Sequence, residues 1–350
     1  MRWAYAAAIA VALIGGFVLL AWLNRSRQKK HLQIRKEMAT MDRIGPYVLK
    51  RKVAMGGMAE LFRADYLRED GFRRRVAVKR IRPHLADNAD FIRMFTREAR
   101  LAALLQHPNI VQIFDYGKID KAYFIAMEYI DGKNLGEILA TMKIGLPVDQ
   151  AVFIASEICK GLDYSHSRID DETGTPLRIV HRDISPPNIL ISCEGEVKIS
   201  DFGISKAQSE PNHTQAGVIK GKLAYMSPEQ ALGQPLDCRA DIFALGLLFH
   251  ESLTGIRVYR FNNEIEAIRE LPQRDIEPLT EIIRQIPEEL NRIVMKCLEK
   301  DRDARYQSAA EVYADLTAFR RESQMTYDAA DLSIFMRERL TEGDDTDCVV

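Results

Sequence analysis

His181-Arg182-Asp183-Ile184-Ser185-Pro186-Pro187-Asn188 is the stretch on which the reading of this chain turns. Two consecutive prolines rule out a regular helix, so Asp183 and Asn188 belong to a loop. Ile189-Leu190-Ile191 then reads as a strand, Glu194-Gly195 as a turn, and 196–200 as a second strand. Asp201-Phe202-Gly203 follows directly. Two carboxylates and a carboxamide are thus carried at the two chain ends of one hairpin. Such an oxygen-rich set suits Mg²⁺, a hard ion that keeps waters and binds phosphate oxygens. Loop aspartates that only cap turns would explain either Asp alone; both in this order ask for more.

Upstream, Val76-Ala77-Val78-Lys79 reads as a strand with Ala77 and Lys79 on one face. In the next helical segment Phe91, Phe95, Glu98, Ala102 and Leu105 fall on one stripe. A carboxylate within a buried stripe needs a cationic partner, and Lys79 is the candidate. The spacing alone equally allows Glu98 to lie wet at the edge of the stripe. Earlier still, Ala54-Met55-Gly56-Gly57-Met58-Ala59 separates two strand patterns. Small residues there let backbone amides approach a phosphate, although glycines between strands also mark an ordinary turn.

Together these motifs resemble the eukaryotic-type protein kinases, in the style of the bacterial serine/threonine kinases. The match extends over about 47–320 and includes His107-Pro108-Asn109-Ile110-Val111 and Tyr225-Met226-Ser227-Pro228-Glu229. The resemblance implies ATP and Mg²⁺ as cofactors. Lys79, oriented by Glu98, would hold the α- and β-phosphates; Asp201 and Asn188 would bind the metal. Asp183 would position the acceptor hydroxyl and take its proton. The nucleotide would also meet Val53, Ala54, Gly56, Gly57, Leu61 and Ala77, with the backbones of Glu128 and Ile130 on the adenine edge after a gatekeeper at Met127. Glu229 would pair with Arg305, and Asp241 would brace the catalytic loop; both roles are structural.

Four positions depart from the family pattern. The glycine loop carries Ala54 and Ala59 where glycines are usual, which predicts a stiffer loop. Ser185 stands where serine/threonine kinases usually carry lysine, and Lys222 follows Gly221 where they carry threonine. The expectation is that Lys222 supplies the displaced cation beside Asp183. Ser205, Ser209 and Thr214 are candidate activation-segment phosphosites, with Thr214 preferred; Arg182 is the residue that would meet such a phosphate. Ile204 leans toward threonine acceptors.

The bulk composition bounds the rest. The chain has 350 residues with 49 Lys+Arg against 50 Asp+Glu, a balance that argues against a nucleic-acid partner. Its five cysteines, Cys159, Cys193, Cys238, Cys297 and Cys348, form no CxxC pair, which points to a reducing compartment. Residues 3–23 carry no charge and are long enough to cross a bilayer. The basic connector 24–46 follows, placing the remainder on the cytoplasmic side of a single-pass cell-membrane protein. The expected fold class is α+β, a two-lobed kinase domain over 47–320 with a β-rich lobe at 47–129 and a helical lobe at 132–320. Strands are expected near 47–54, 59–66, 74–81, 110–116 and 122–129. Helices are expected near 89–105, 148–167, 237–254, 288–300 and 307–321. An acidic tail, 321–350, includes a helix over 329–340. The expected partners are protein substrates, the membrane and, for trans-autophosphorylation, a second copy. The rival readings are a nucleotide-binding pseudokinase scaffold and a small-molecule kinase.

Overall fold

The computed structural model describes residues 42–120, 122–202, 223–261 and 263–341. The expected membrane helix over 3–23 lies outside the described residues. So do most of the basic connector, Gly203, Ile204, Ser205, Ser209, Thr214, Lys222 and the acidic end of the chain. Among the described residues no helix is long and apolar enough to cross a membrane.

The first lobe is an antiparallel sheet. Its strands are β1 (Arg43–Ile44), β2 (Tyr47–Met55), β3 (Ala59–Leu67) and β4 (Arg73–Ile81). Helix α1 (Ala89–Ala103) precedes β5 (Ile113–Ile119) and β6 (Ala122–Glu128). The strand order is β1-β2-β3-β4-β6-β5. β1 falls within the segment expected to be connector, so the domain begins before residue 47. Strand β4 is paired on both sides, to β3 and to β6, with Lys79 opposite Leu61 and Ile125. Alternation along this doubly held strand sends Val76 and Val78 into an apolar core with Tyr47, Phe62, Ala64 and Phe124.

α1 starts at Asn88, whose side chain accepts the N–H groups of Asp90 and Phe91. It packs on β5 with Ala99 and Ala102 buried. The strand expected from residue 110 begins instead at Ile113. The His107-Pro108 turn, closed by Ile110 N–H to His107 O at 3.0 Å, leaves Ile110 to form a lone parallel bridge with Ile199. That bridge ties the first lobe to the hairpin of the second.

The second lobe continues through β7 (Gly132–Asn134), α2 (Leu135–Thr141), α3 (Val148–Ser167), β8 (Ile189–Ser192) and β9 (Val197–Ile199). After the undescribed segment come α4 (Pro228–Ala231), α5 (Arg239–Thr254), α6 (Glu264–Glu270), α7 (Leu279–Ile282), α8 (Glu288–Cys297), α9 (Ala309–Glu322) and α10 (Ala329–Thr341). Every residue of α5 from Ala240 to Leu253 is buried. A helix that is buried on all sides belongs at the centre of a lobe, and α3 and α8 pack against it. Truncating one of its leucines to alanine would cost about 2–5 kcal/mol. The boundary expected at 320 falls inside α9. Beyond it, α10 is packed helix rather than tail, with Leu332 and Met336 fully buried.

Candidate active site

The site forms where β4, α1 and the β8–β9 hairpin meet. The Lys79 Nζ lies 3.2 Å from Glu98 Oε1 and 2.6 Å from Asp201 Oδ1. The alternative left open by spacing is thereby decided: Glu98 faces inward and pairs with Lys79. Burial works against the ammonium charge, but the Asp201 and Glu98 carboxylates outweigh it. They hold the Lys79 pKa above the ordinary lysine value.

Asp183 and Asn188 are joined through the loop itself. Asn188 Nδ2 donates to the Asp183 carbonyl at 2.8 Å. That bond commits the amide nitrogen and turns the carboxamide oxygen to the other side, where it can act as a hard oxygen ligand. Asn188 ends a 3₁₀ turn over Pro186–Asn188, and its own carbonyl accepts the Ser200 N–H at 2.9 Å. The start of β8 and the residue before Asp201 are therefore pinned together. Asp201 has φ +54°, a left-handed conformation held by its surroundings.

His181 organises the loop from beneath. Its Nδ1 accepts the Asp183 N–H at 3.2 Å, so the proton resides on Nε2, which donates to Ser200 O at 2.9 Å. Acceptance at Nδ1 requires neutral imidazole, and burial favours that form by lowering the pKa, against the opposing effects of the Ser200 bond and nearby carboxylates. The ring packs on Phe202 with centroids 4.5 Å apart. Asp241, from the buried start of α5, accepts the N–H groups of His181 and Arg182, each at 2.7 Å. His166 Nε2 donates to the same carboxylate at 2.8 Å. Burial pushes the Asp241 pKa up, but the His166 bond and the His181 contacts prevail and keep it below the usual range.

The cleft wall beside the inter-lobe connection is apolar. Val111, Ile130 and Leu190 form a small cluster with Met127 packed on it, and Ala77 lies opposite Met127 in the sheet. The Glu128 N–H is bound to Gln112 O at 2.8 Å. The glycine-loop hairpin turns at Gly56, whose N–H donates to Ala59 O at 2.9 Å. A shift in pairing beside Val53 brings Ala54 opposite Leu61. No residue from Ala54 to Ala59 has positive φ. The alanines at the outer positions therefore sit in backbone conformations open to any residue.

Sequence reading missed several supports. Lys198 pairs with Glu128 at 3.0 Å, bracing the connection between lobes. Gln230 Nε2 donates to Arg182 O at 2.9 Å. Leu190, alternating out of the Ile189-Leu190-Ile191 strand, was available as a signal for the adenine floor. Two expected structural roles are present: Arg305 grips Glu229 with Nη1 and Nη2 at 2.7 and 2.9 Å, and Asp241 braces the loop. Ser185 is buried, and its Oγ turns back toward Asp183 O at 3.4 Å.

A β-rich lobe and a helical lobe closing on an amine, two aspartates and a carboxamide define the protein kinase class. A protein kinase domain model matches residues 47–315, and the chain belongs to that family. It is 45% identical over 309 residues to a protein named tyrosine-protein kinase MasK, from Myxococcus xanthus, covering 85% of this chain and 47% of that one. It is 36% identical over 276 residues to the serine/threonine-protein kinase PrkC of Bacillus subtilis, covering 79% and 41%. The chain thus spans less than half the length of these curated relatives. The crystal structure of the Mycobacterium tuberculosis PknI kinase domain aligns with a TM-score of 0.61 at 25% identity, covering 80% of this chain and 98% of that one.

Proposed function

We propose that this chain transfers the terminal phosphoryl group of ATP to serine and threonine hydroxyls of proteins, its own included. The observation that carries this reading is the placement of Lys79 between Glu98 and Asp201, beside a loop that ties Asp183 to Asn188. Lys79 would hold the inner phosphates of the nucleotide, and Glu98 would keep its ammonium aimed. The apolar shelf of Ala77, Met127, Ile130 and Leu190 would receive the adenine, with the backbones of Glu128 and Ile130 at its edge. Asp183 would orient the acceptor hydroxyl and take its proton as the oxygen attacks phosphorus. The oxygens of Asp201 and Asn188 suit Mg²⁺, which when bound supplies positive charge against the phosphates. With these groups all in place, nothing supports a pseudokinase scaffold.

Lys222 remains our choice for the cation near Asp183, because the hydroxyl of Ser185 carries no positive charge. Full turnover in Lys222→Ala would remove that role. Residues 3–23 would anchor the chain in the cell membrane, with 24–46 and the kinase domain on the cytoplasmic side. Anchored copies would then meet in the membrane plane and phosphorylate one another, Thr214 first.

A second reading has tyrosine as the acceptor. It is favoured by Ser185 in place of the usual lysine, and by the name of the Myxococcus relative. Labelled ATP, a protein substrate and the purified chain, with Asp183→Asn as control, test both readings. Label on serine and threonine after acid hydrolysis supports the first, and label on tyrosine supports the second. Label confined to a small molecule, or none above the Asp183→Asn level, overturns both.

A further inference from the structure

Helix α10 lies wholly beyond the region matched by the kinase family model, which ends at residue 315. Its attachment is nevertheless built in detail. Arg320 Nη2 donates to Tyr327 O at 2.6 Å, and the Tyr327 ring packs on Phe153 of α3 with centroids 6.0 Å apart. Asp328 then starts the helix by accepting the Ala330 N–H at 2.7 Å, while the Asp331 carboxylate accepts the Asp328 N–H at 3.1 Å. Leu332 and Met336 drive into the lobe core.

The helix settles on one place, the turn between β8 and β9. Ser333 Oγ donates to Cys193 O at 2.7 Å. Gly195, at φ +81°, lies against the first turn of α10, and a Cβ there would sit 1.9 Å from Ala329 O. Only glycine permits both that conformation and that approach. The same Cys193 donates its N–H to Asp131 O at 2.7 Å, just after the inter-lobe connection. The Asp131 carboxylate lies 3.3 Å from Arg75 Nη1 on β4, four residues before Lys79. One residue, Cys193, thus joins α10, the turn of the metal-site hairpin and the segment joining the lobes. Asn188 stands immediately before β8, and Asp201 two residues after β9.

We infer that α10 is an intramolecular strap that sets the β8–β9 hairpin, and that Ser333 is a positioning residue acting through Cys193 on Asn188, Asp201 and the inter-lobe connection. The inference rests on the proposed nucleotide site and extends it to a helix outside the family region. The Asn188–Ser200 bond ties the open ends of the hairpin, and a held turn limits motion of the strands between them. Core packing holds the strands, and α10 holds the turn.

The test uses the full chain with Ser333→Ala, Ser333→Cys and Ser333→Thr. Cysteine keeps the size of serine but is a weak donor, so it serves if the alanine variant fails to fold; threonine keeps the hydroxyl. Three quantities are measured: amide exchange at 130–134 and 192–200, the Mg²⁺ needed for half-maximal ATP binding by calorimetry, and KM for the protein substrate. In the alanine and cysteine variants, exchange in both segments and the Mg²⁺ requirement should rise about twofold to tenfold, the size of one lost hydrogen bond. Threonine should restore both, with KM for the protein substrate unchanged throughout. Parent-like exchange and Mg²⁺ requirement in folded Ser333→Ala or Ser333→Cys overturn the strap, whatever the melting temperature does. A parent chain that binds ATP with Mg²⁺ but transfers no phosphate would instead overturn the proposed activity, leaving the exchange result to judge the strap.

Discussion

The Asp241 carboxylate accepts the backbone N–H of Arg182 at 2.7 Å, and Arg182 is held there at φ +67°. A non-glycine residue in that conformation costs of order 1–3 kcal/mol, which its surroundings must offset. Asp241 does so from a helix buried throughout, and its second oxygen takes the neighbouring His181 N–H. The strain therefore sits one residue before Asp183, held by the most rigid part of the lobe. Asp241→Asn keeps the shape but loses the charge and one acceptor. It should lower stability by about 2–3 kcal/mol, as expected when hydrogen bonds to a charged group are weakened. Turnover should fall more than the KM for ATP changes. Denaturant unfolding and steady-state kinetics check this; equal effects on kcat and KM would count against a role in holding the loop.

Glu98 has a narrower role. Glu98→Gln keeps an acceptor oxygen but leaves Asp201 as the charged partner seen at Lys79, so the ammonium is freer to follow that carboxylate away from the phosphates. The loss of one charge-assisted bond, about 1.5–3 kcal/mol, should appear as a roughly 10- to 100-fold fall in kcat/KM for ATP. The melting temperature should stay near that of the parent, because both side chains line the cleft. A parent-like kcat/KM would remove Glu98 from the site.

The Glu229–Arg305 pair should behave in the opposite way. Both side chains are almost wholly buried and bonded at two points. Glu229→Ala strands a guanidinium charge in the core and should cost about 3–5 kcal/mol. Burial raises the Glu229 pKa, but the Arg305 bonds overcome this and lower it, so its contribution is lost only as pH falls below the ordinary carboxylate range. Urea unfolding at neutral pH provides the measurement, and a loss under 1 kcal/mol would show that the pair is not closed in solution.

Near neutral pH the histidines set the trend. Burial lowers the pKa of His181, His250 and His107 below the ordinary value of 6.5. The unfolded chain then binds protons more readily than the folded one. Stability is fully present above about pH 6.5 and falls as pH drops from there through the folded values. The melting temperature at pH 5.5 should be lower than at 7.5, and the His181 ring resonance should titrate with a midpoint below 6.5. A midpoint at or above 6.5 would mean that burial and the bond from the Asp183 N–H do not hold the neutral ring.

Much of this was legible in particular residues. The paired prolines announced the loop, the Ile-Leu-Ile run announced β8, and the stripe through Glu98 put the carboxylate on or beside the buried face of α1. Less legible were partners far apart in the chain with no local pattern. Lys198 meeting Glu128 and Gln230 meeting Arg182 obey no spacing rule. The strand expected from residue 110 failed because Ile110 leaves the first sheet to bridge Ile199. At Ala54 and Ala59 a family glycine suggests positive φ, but this hairpin turns without it.

The sequence by itself determined the two-part organisation, the identity of the chemical groups and their order, because periodicity, turn residues and motif spacing are local properties. Only the tertiary structure decided that Glu98 rather than solvent accompanies Lys79, that Asp241 holds the strained Arg182, and that α10 reaches back to Cys193. Those contacts join residues tens to hundreds of positions apart. Their free energy exists only once burial has removed the competing water and fixed both partners in space.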